Sequence, residues 1–535
     1  MRRAVLVLVT AVAALVQVAC TPVRNPATGE LQYTSLSPAD ERKLGQTEHP
    51  KALRQFGGAY GDKGLQAYVA GVGERVKRAS ELGDQPFTFT LLDSDVVNAF
   101  ALPGGYVYVT RGLMALANDE AELAGVLGHE VGHVTARHSA QRYDQQRLGQ
   151  VGTVLGQLGG MLLGGYLGGA QGAQLGGEYI GKAASAGSQI WVQSYSRDQE
   201  FEADQLGIRY LGQAGYDPGA MASFLATLQA DDVYRQKTQG GGTDEASLLG
   251  DWFRSHPRTP ERVARAAEAT SAAMPGAREL NRDALLDRLD GLMWGEDPAQ
   301  GVIKGRRFLH PGLKLAFEAP PGFRLQNSPA NVVGSDGAGR VMIFDMAGDV
   351  AGDLRGYLQQ GWVANQRLQD LQSVQLAMGP GAVGFGRIAI GGNAVPAMFA
   401  VVQAPANQVY RFIFADTRGL DRADVGDFEA SLRSLRRLSA QEAAALVPLR
   451  VRVVPVRPGD TVATFVAQME GVPDPRGLFT LLNGLDRGRT LRPGDRVKVI
   501  RQDPAGVPVA DRASPPRSGR TGPAPAVFPP SRASA

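Results

Sequence analysis

The chain has 535 residues, 43% of them hydrophobic and 20% charged, with a formal net charge of +3, which points to roughly three or four globular domains rather than one. Lys and Arg are scattered without a basic block, which excludes a nucleic-acid face and leaves no nucleic acid among the expected partners. The single cysteine, Cys20, excludes an internal disulfide, so the fold must rest on burial.

The chain opens MRRAVLVLVTAVAALVQVAC, with Arg2 and Arg3, an apolar run from Ala4 to Val16, and small residues before Cys20. That order is the plan of a secretory signal peptide over residues 1–19. A retained anchor is the alternative, but the run falls short of the about 18–20 apolar residues that span a bilayer. Cys20 resembles the lipidated residue of a bacterial lipoprotein, with Gln17 where the usual lipobox has Leu. The resemblance implies a periplasmic protein held at the outer membrane by a lipid on Cys20, since Thr21 follows with no Asp to suggest inner-membrane retention. Residues 20–35 read as a linker.

Residues 36–275 carry long helical patterns, and within them LGHEVGHVTARH, residues 127–138, holds three of the six histidines. Random placement of six His and 20 Glu gives His-Glu-x-x-His about 0.003 times in such a chain, so the pattern needs a cause. Asn118 is suited to cap a helix from 119 to about 147, whose first turns carry Asp119, Glu120 and Glu122 against the positive end of the helix dipole. On it His129 and His133 lie one turn apart on one face, where two imidazole nitrogens reach one ion. Glu130 projects roughly 100° around from His129, beside a metal rather than on it, as a general base does. Gly125, Gly128 and Gly132 leave room for a close neighbour. His138, nine residues past His129, reads as a surface histidine turned away from that face.

A third ligand must come from elsewhere, and SYSRDQEFEADQLGIRYLGQAGYDP, residues 194–218, is the best candidate. It reads as a helix closing near Gly215, with Asp217 and Pro218 starting the next. Glu200 and Asp204 share a face while Glu202 points elsewhere. One carboxylate can bind the metal and the other can brace a ligand histidine.

The ordered pair of motifs resembles the HtpX/BepA-type zinc metallopeptidases, the family that includes the CaaX prenyl proteases, over about residues 36–275. The resemblance implies a mainly helical zincin-type (gluzincin) metalloprotease domain with a small edge sheet and one Zn2+ per chain. In EFEAD it makes Glu200 the ligand beside His129 and His133, and Asp204 the bracing residue. It also implies that NAFALPGGYVYVTRGLM, residues 98–114, supplies an edge strand at Asn98, Ala99 and Phe100 onto which an extended peptide adds as a further strand. Zinc chemistry then implies a water of lowered pKa, with Glu130 taking its proton and passing it to the leaving amine.

Between the two motifs lies GQVGTVLGQLGGMLLGGYLGGAQGAQLGG, residues 149–177, uncharged and with glycine at every fourth position from 152 to 176. It reads as a membrane-inserting hairpin or as a packed soluble loop. Further on, in WFRSHPRTPERVA, Thr259 and Pro260 suit the cap and first position of a helix, which places His256 on the loop before it. In the BepA branch a histidine at the corresponding place is a fourth ligand, so His256 is a candidate regulatory ligand that blocks the water.

From about residue 300 to 440 the pattern turns to short β-like runs, LKLAFEAP, RVMIFDMAG, AVPAMFAVVQA and QVYRFIFADT, and then a helix-like FEASLRSLRRL, an α+β domain without a chemical motif. Residues 450–501 resemble a LysM module, through VRPGDTVATFVAQM, LFTLLNGLD and LRPGDRVKVI, which implies a small βααβ fold and possible peptidoglycan binding. Residues 502–535, rich in Pro, Ala, Ser and Arg, read as disordered. The sum is an α+β multidomain chain, expected to be a zinc endopeptidase acting on unfolded or misassembled proteins of the bacterial envelope. The alternative is a peptidoglycan-bound outer-membrane-protein assembly factor or chaperone with secondary or no proteolysis.

Overall fold

A computed structural model describes residues 21–145, 195–239, 256, 260–271 and 279–502, less 349, 351, 391 and 392. The signal-like segment with Cys20, the glycine-rich stretch 149–177 and the tail from 503 lie outside the described residues. Helices and sheets are mixed throughout, an α+β chain. The stretch expected as a linker contains a hairpin, β1 (Thr21–Arg24) paired with β2 (Leu31–Thr34). Its turn was hidden in NPATGE, where the Asn25 side chain accepts from the Ala27 amide at 2.8 Å and Gly29 takes φ +75°.

The first body is helical with a three-stranded sheet. Helix α1 spans Pro38–Gln55 and α2 spans Lys63–Arg78, where Asp62 caps the Leu65 amide. Leu65, Val69, Val72 and Val76 recur at helical spacing in α2 and bury one stripe. Strands β3 (Thr88–Leu92), β4 (Ala99–Leu102) and β5 (Tyr106–Thr110) follow, in the order β3-β5-β4. After the short α3 (Arg111–Leu116) come α4 (Glu120–Thr135), α5 (Arg197–Gln213), α6 (Gly219–Gln239), α7 (Pro260–Ser271) and α8 (Arg282–Leu289).

After the short strands β6 (Met293–Trp294), β7 (Val302–Lys304), β8 (Arg307–His310) and β9 (Leu315–Glu318), the second body is a seven-stranded antiparallel sheet in the order β10 (Arg324–Asn327), β11 (Val332–Ser335), β12 (Arg340–Ala347), β16 (Val409–Asp416), β15 (Asn393–Gln403), β14 (Gly379–Ile390) and β13 (Gln369–Leu376). The apolar runs read in the sequence fall on β9, β12, β15 and β16. Period-two alternation sends Met398, Ala400 and Val402 to one core and Ala397, Phe399 and Val401 to another. A helix, α9 (Arg422–Arg433), covers the first face with Phe428 and Leu432.

The C-terminal unit runs strand Leu449–Pro455, helices Val462–Val466 and Pro475–Leu482, and strand Arg496–Gln502, with the two strands antiparallel. It is not set apart from the first body. Leu449 and Arg450 pair with Met293–Trp294, and Leu478, Leu482, Val497 and Val499 join the same core as Leu116, Ala117 and Phe224. At this junction Lys498, fully buried, donates from Nζ to the carbonyls of Ala115 (2.8 Å), Leu116 (3.3 Å) and Ala117 (2.8 Å). Those are carbonyls that the end of α3 leaves without helical partners, and the chain enters α4 directly after them.

Candidate metal centre

Helix α4 begins one residue later than the sequence suggested. Asp119 caps it, accepting from the Glu122 amide at 2.9 Å, while the Asn118 backbone amide is held by the Glu122 carboxylate at 2.7 Å. Nearly every residue of α4 is buried, and its glycines explain why a second helix lies so close. A Cβ at Gly132 would meet the Ala203 carbonyl at 3.1 Å, and one at Gly207 would meet the His129 backbone nitrogen at 3.0 Å. This approach of α5 to α4 brings Glu200 and Asp204 opposite the two histidines.

The result is four buried ligand atoms within 4.8 Å of one another, from His129, His133, Glu200 and His256. His129 Nε2 stands 3.0 Å from His133 Nε2, 3.2 Å from His256 Nδ1 and 3.7 Å from Glu200 Oε2. His133 Nε2 lies 3.4 Å from Glu200 Oε1, and His256 Nδ1 2.9 Å from it. Bonds of about 2.0–2.1 Å to a tetrahedrally held zinc would put ligand atoms about 3.3 Å apart. The donor set therefore fits such an ion. His256 lies four residues ahead of α7, which starts at Pro260.

Glu130 is fully buried, and among the described residues neither carboxylate oxygen has a hydrogen-bond partner. His256 Nε2 is 3.4 Å from its Oε1. Burial pushes the Glu130 pKa up, against the pull of His256 and His129. Burial pushes His133 well below the ordinary histidine value, which suits a neutral ligand. Burial also opposes ionisation of Glu200, but His256 and Arg262 outweigh it and hold its pKa well below the usual carboxylate range.

Around these atoms lies a shell that sequence reasoning largely missed. Asp204 Oδ1 is 2.9 Å from His129 Nδ1 and accepts from Arg262 Nη2 at 2.8 Å, while Asp204 Oδ2 accepts from Arg262 Nε at 2.8 Å. Arg262 Nη1 also reaches Glu200 Oε2 at 2.6 Å. The Tyr195 ring stacks on His133, centroids 3.8 Å apart and planes at 14°, with the Arg142 guanidinium 4.1 Å from the centroid of that tyrosine. Arg262 and Tyr195 sit 58 and 62 residues from their partners Asp204 and His133, and no local pattern announces either pairing.

His138 overturns an expectation. It is fully buried, with Nδ1 2.8 Å from His133 Nδ1 and Nε2 3.2 Å from Glu202 Oε2. The helix expected to run to about 147 stops at Thr135, Arg137 takes φ +59°, and helix resumes over 138–145. Counting 100° per residue past Thr135 therefore gives the wrong face. Asn98, also buried, precedes β4, which forms one edge of its sheet and pairs Ala99 with Val109 and Phe100 with Tyr108. The Phe100 ring is committed to the core between Phe56 and Tyr108, at 5.0 and 4.6 Å.

Residues 64–270, which hold all of these ligands, match the model of peptidase family M48. Over that span the chain is similar to the M48 peptidases. The chain is 33% identical over 216 residues to a putative beta-barrel assembly-enhancing protease of Vibrio cholerae, covering 40% of this chain and 43% of the relative. It is 32% identical over 203 residues to the beta-barrel assembly-enhancing protease of Escherichia coli, covering 38% and 40%. It is 26% identical over 219 residues to the mitochondrial metalloendopeptidase OMA1 of Schizosaccharomyces pombe, covering 38% and 57%. The chain thus spans about two fifths of the length of the bacterial relatives. No helix among the described residues is long and apolar enough to cross a membrane.

Proposed function

We propose that the protein is a zinc-dependent endopeptidase of the bacterial cell envelope. The observation that carries this reading is the buried set of His129, His133, Glu200 and His256, whose ligand atoms lie within 4.8 Å of one another, with Glu130 beside it, buried and without a hydrogen bond among the described residues. A bound zinc supplies Lewis acidity, which acidifies water and polarises a peptide carbonyl. Glu130, with its raised pKa, takes a proton from the attacking water and returns it to the leaving amine. Asp204, itself clamped by Arg262, holds the His129 ring so that Nε2 faces the metal. Asn98, Ala99 and Phe100 lie at the sheet edge where an extended peptide adds as a strand. His256 fills the fourth position in the resting state and swings away when substrate or a partner moves its loop.

The substrate class is unfolded or misassembled envelope proteins, supported by the names of the bacterial relatives. The signal-like residues 1–19 and Cys20 support a periplasmic lipoprotein at the outer membrane, and residues 450–501 a LysM-like module for peptidoglycan. The complete ligand set argues against an assembly factor devoid of proteolysis. Casein cleavage by the wild type against Glu130→Gln tests the reading. Loss of about 10²–10⁴-fold in rate is expected, and equal cleavage by both would remove Glu130 as the base.

A further inference from the structure

A metal-ligating imidazole must present a lone pair on one nitrogen, and the other nitrogen then carries the proton. His133 Nε2 faces the ligand cluster, 3.0 Å from His129 Nε2 and 3.4 Å from Glu200 Oε1, so its proton belongs on Nδ1. The atom 2.8 Å from that Nδ1 is His138 Nδ1, which can accept only as a bare lone pair. The His138 proton then sits on Nε2, where the Glu202 carboxylate oxygen stands 3.2 Å away to receive it. One assignment satisfies all three groups: His133 Nδ1–H donates to His138 Nδ1, and His138 Nε2–H donates to Glu202 Oε2.

We infer that His138 and Glu202 are positioning residues for the metal centre, a relay that fixes the tautomer and ring orientation of His133 from the side opposite the Asp204–Arg262 clamp on His129. Each imidazole of the His-Glu-x-x-His pair then has its own carboxylate, Asp204 directly and Glu202 through one intervening histidine. Both carboxylates come from α5, as do the ligand Glu200 and the glycine that permits its approach to α4. The break at Arg137 is what makes the relay possible, because an unbroken helix would carry His138 to the far side. Tyr195, stacked on His133, closes the face of the ring and leaves in-plane rotation to the hydrogen bond. This inference rests on the zinc reading above.

The test is zinc affinity of the full chain, measured by competition with a chromophoric chelator, together with the visible spectrum of the cobalt-substituted protein. His138→Leu removes the acceptor and should raise the zinc dissociation constant about 10–100-fold and shift the cobalt bands. His138→Asn, whose side-chain oxygen takes the place of Nδ1, should recover affinity to within about threefold of wild type. Should the buried leucine variant fail to fold, Glu202→Ala decides, since that side chain is 34% exposed; a weakening of about three- to tenfold is expected there. His133→Ala is the control that loses the metal outright. Folded His138→Leu and Glu202→Ala proteins with wild-type zinc affinity would overturn the relay and leave the zinc reading standing. A wild type that binds no zinc would overturn both.

Discussion

Lys498→Met removes a buried ammonium while keeping most of its aliphatic volume, and it tests whether the C-terminal unit is part of the body that holds the metal helix. The Ala115 and Ala117 carbonyls lose their donor at 2.8 Å, while that of Leu116, 3.3 Å from Nζ, keeps the Asn118 side-chain amide at 3.3 Å. Each orphaned buried carbonyl costs about 1–3 kcal/mol. Against this, methionine avoids the penalty of burying a charge, which pushes the Lys498 pKa well below its ordinary value. The net is about 3 kcal/mol of destabilisation, in line with other cases in which one side of a buried polar contact is removed. For a folding unit of this size that is a fall in Tm of roughly 6–12 °C. Scanning calorimetry reads it, with Lys237→Ala as comparison: that side chain meets Asp474 across the same junction at 2.6 Å but is 72% exposed, and should leave Tm nearly unchanged. A shift below about 2 °C for Lys498→Met would refute the claim that these carbonyls depend on it.

Other outcomes follow from the same geometry. Gly207→Val should destabilise by about 2–3 kcal/mol and loosen zinc, because its Cβ would meet the backbone of His129 and Gly128 at 3.0 and 3.2 Å; chemical denaturation and metal titration check both effects. His256→Ala should raise self-cleavage or casein cleavage with zinc retained, whereas unchanged or lower activity in a zinc-loaded variant would falsify the switch. Burial pushes the Glu296 pKa up to about 8, with the Asp95 charge adding to it, so the folded state favours the neutral acid. Its stabilising contribution is complete below the unfolded value near 4.5 and is lost as pH rises toward 8. Glu296→Gln should therefore match wild type in Tm near pH 5 and exceed it near pH 8.5, and parallel Tm curves for the two proteins would contradict that.

The metal helix was legible because its chemistry is local. His129 and His133 need only helical periodicity to share a face, and Glu200 and Asp204 need only the same spacing on a second helix. Beyond the helix, legibility depended on conformation that side-chain patterns do not encode. His138 went to the wrong face because Arg137 adopts a left-handed conformation that no glycine advertised. Arg262 carries no local signal, and only the fold brings it to Asp204. In the second body β14, Gly379–Ile390 (GPGAVGFGRIAI), is rich in glycine and reads against a strand, yet it pairs on both sides with β13 (Gln369–Leu376) and β15, so tertiary pairing overrides local propensity. Lys498 is buried only because the C-terminal unit docks onto the end of α3, a tertiary contact that the alternation in RVKVI does not encode.

Metal content of the purified full chain is the most direct measurement of whether His129, His133, Glu200 and His256 hold a zinc ion. Elemental analysis by mass spectrometry after zinc loading and gel filtration should give one zinc per chain for the wild type and close to none for a protein carrying both His129→Ala and His133→Ala. A wild type that leaves the column without zinc, or a double variant that keeps it, would contradict the account.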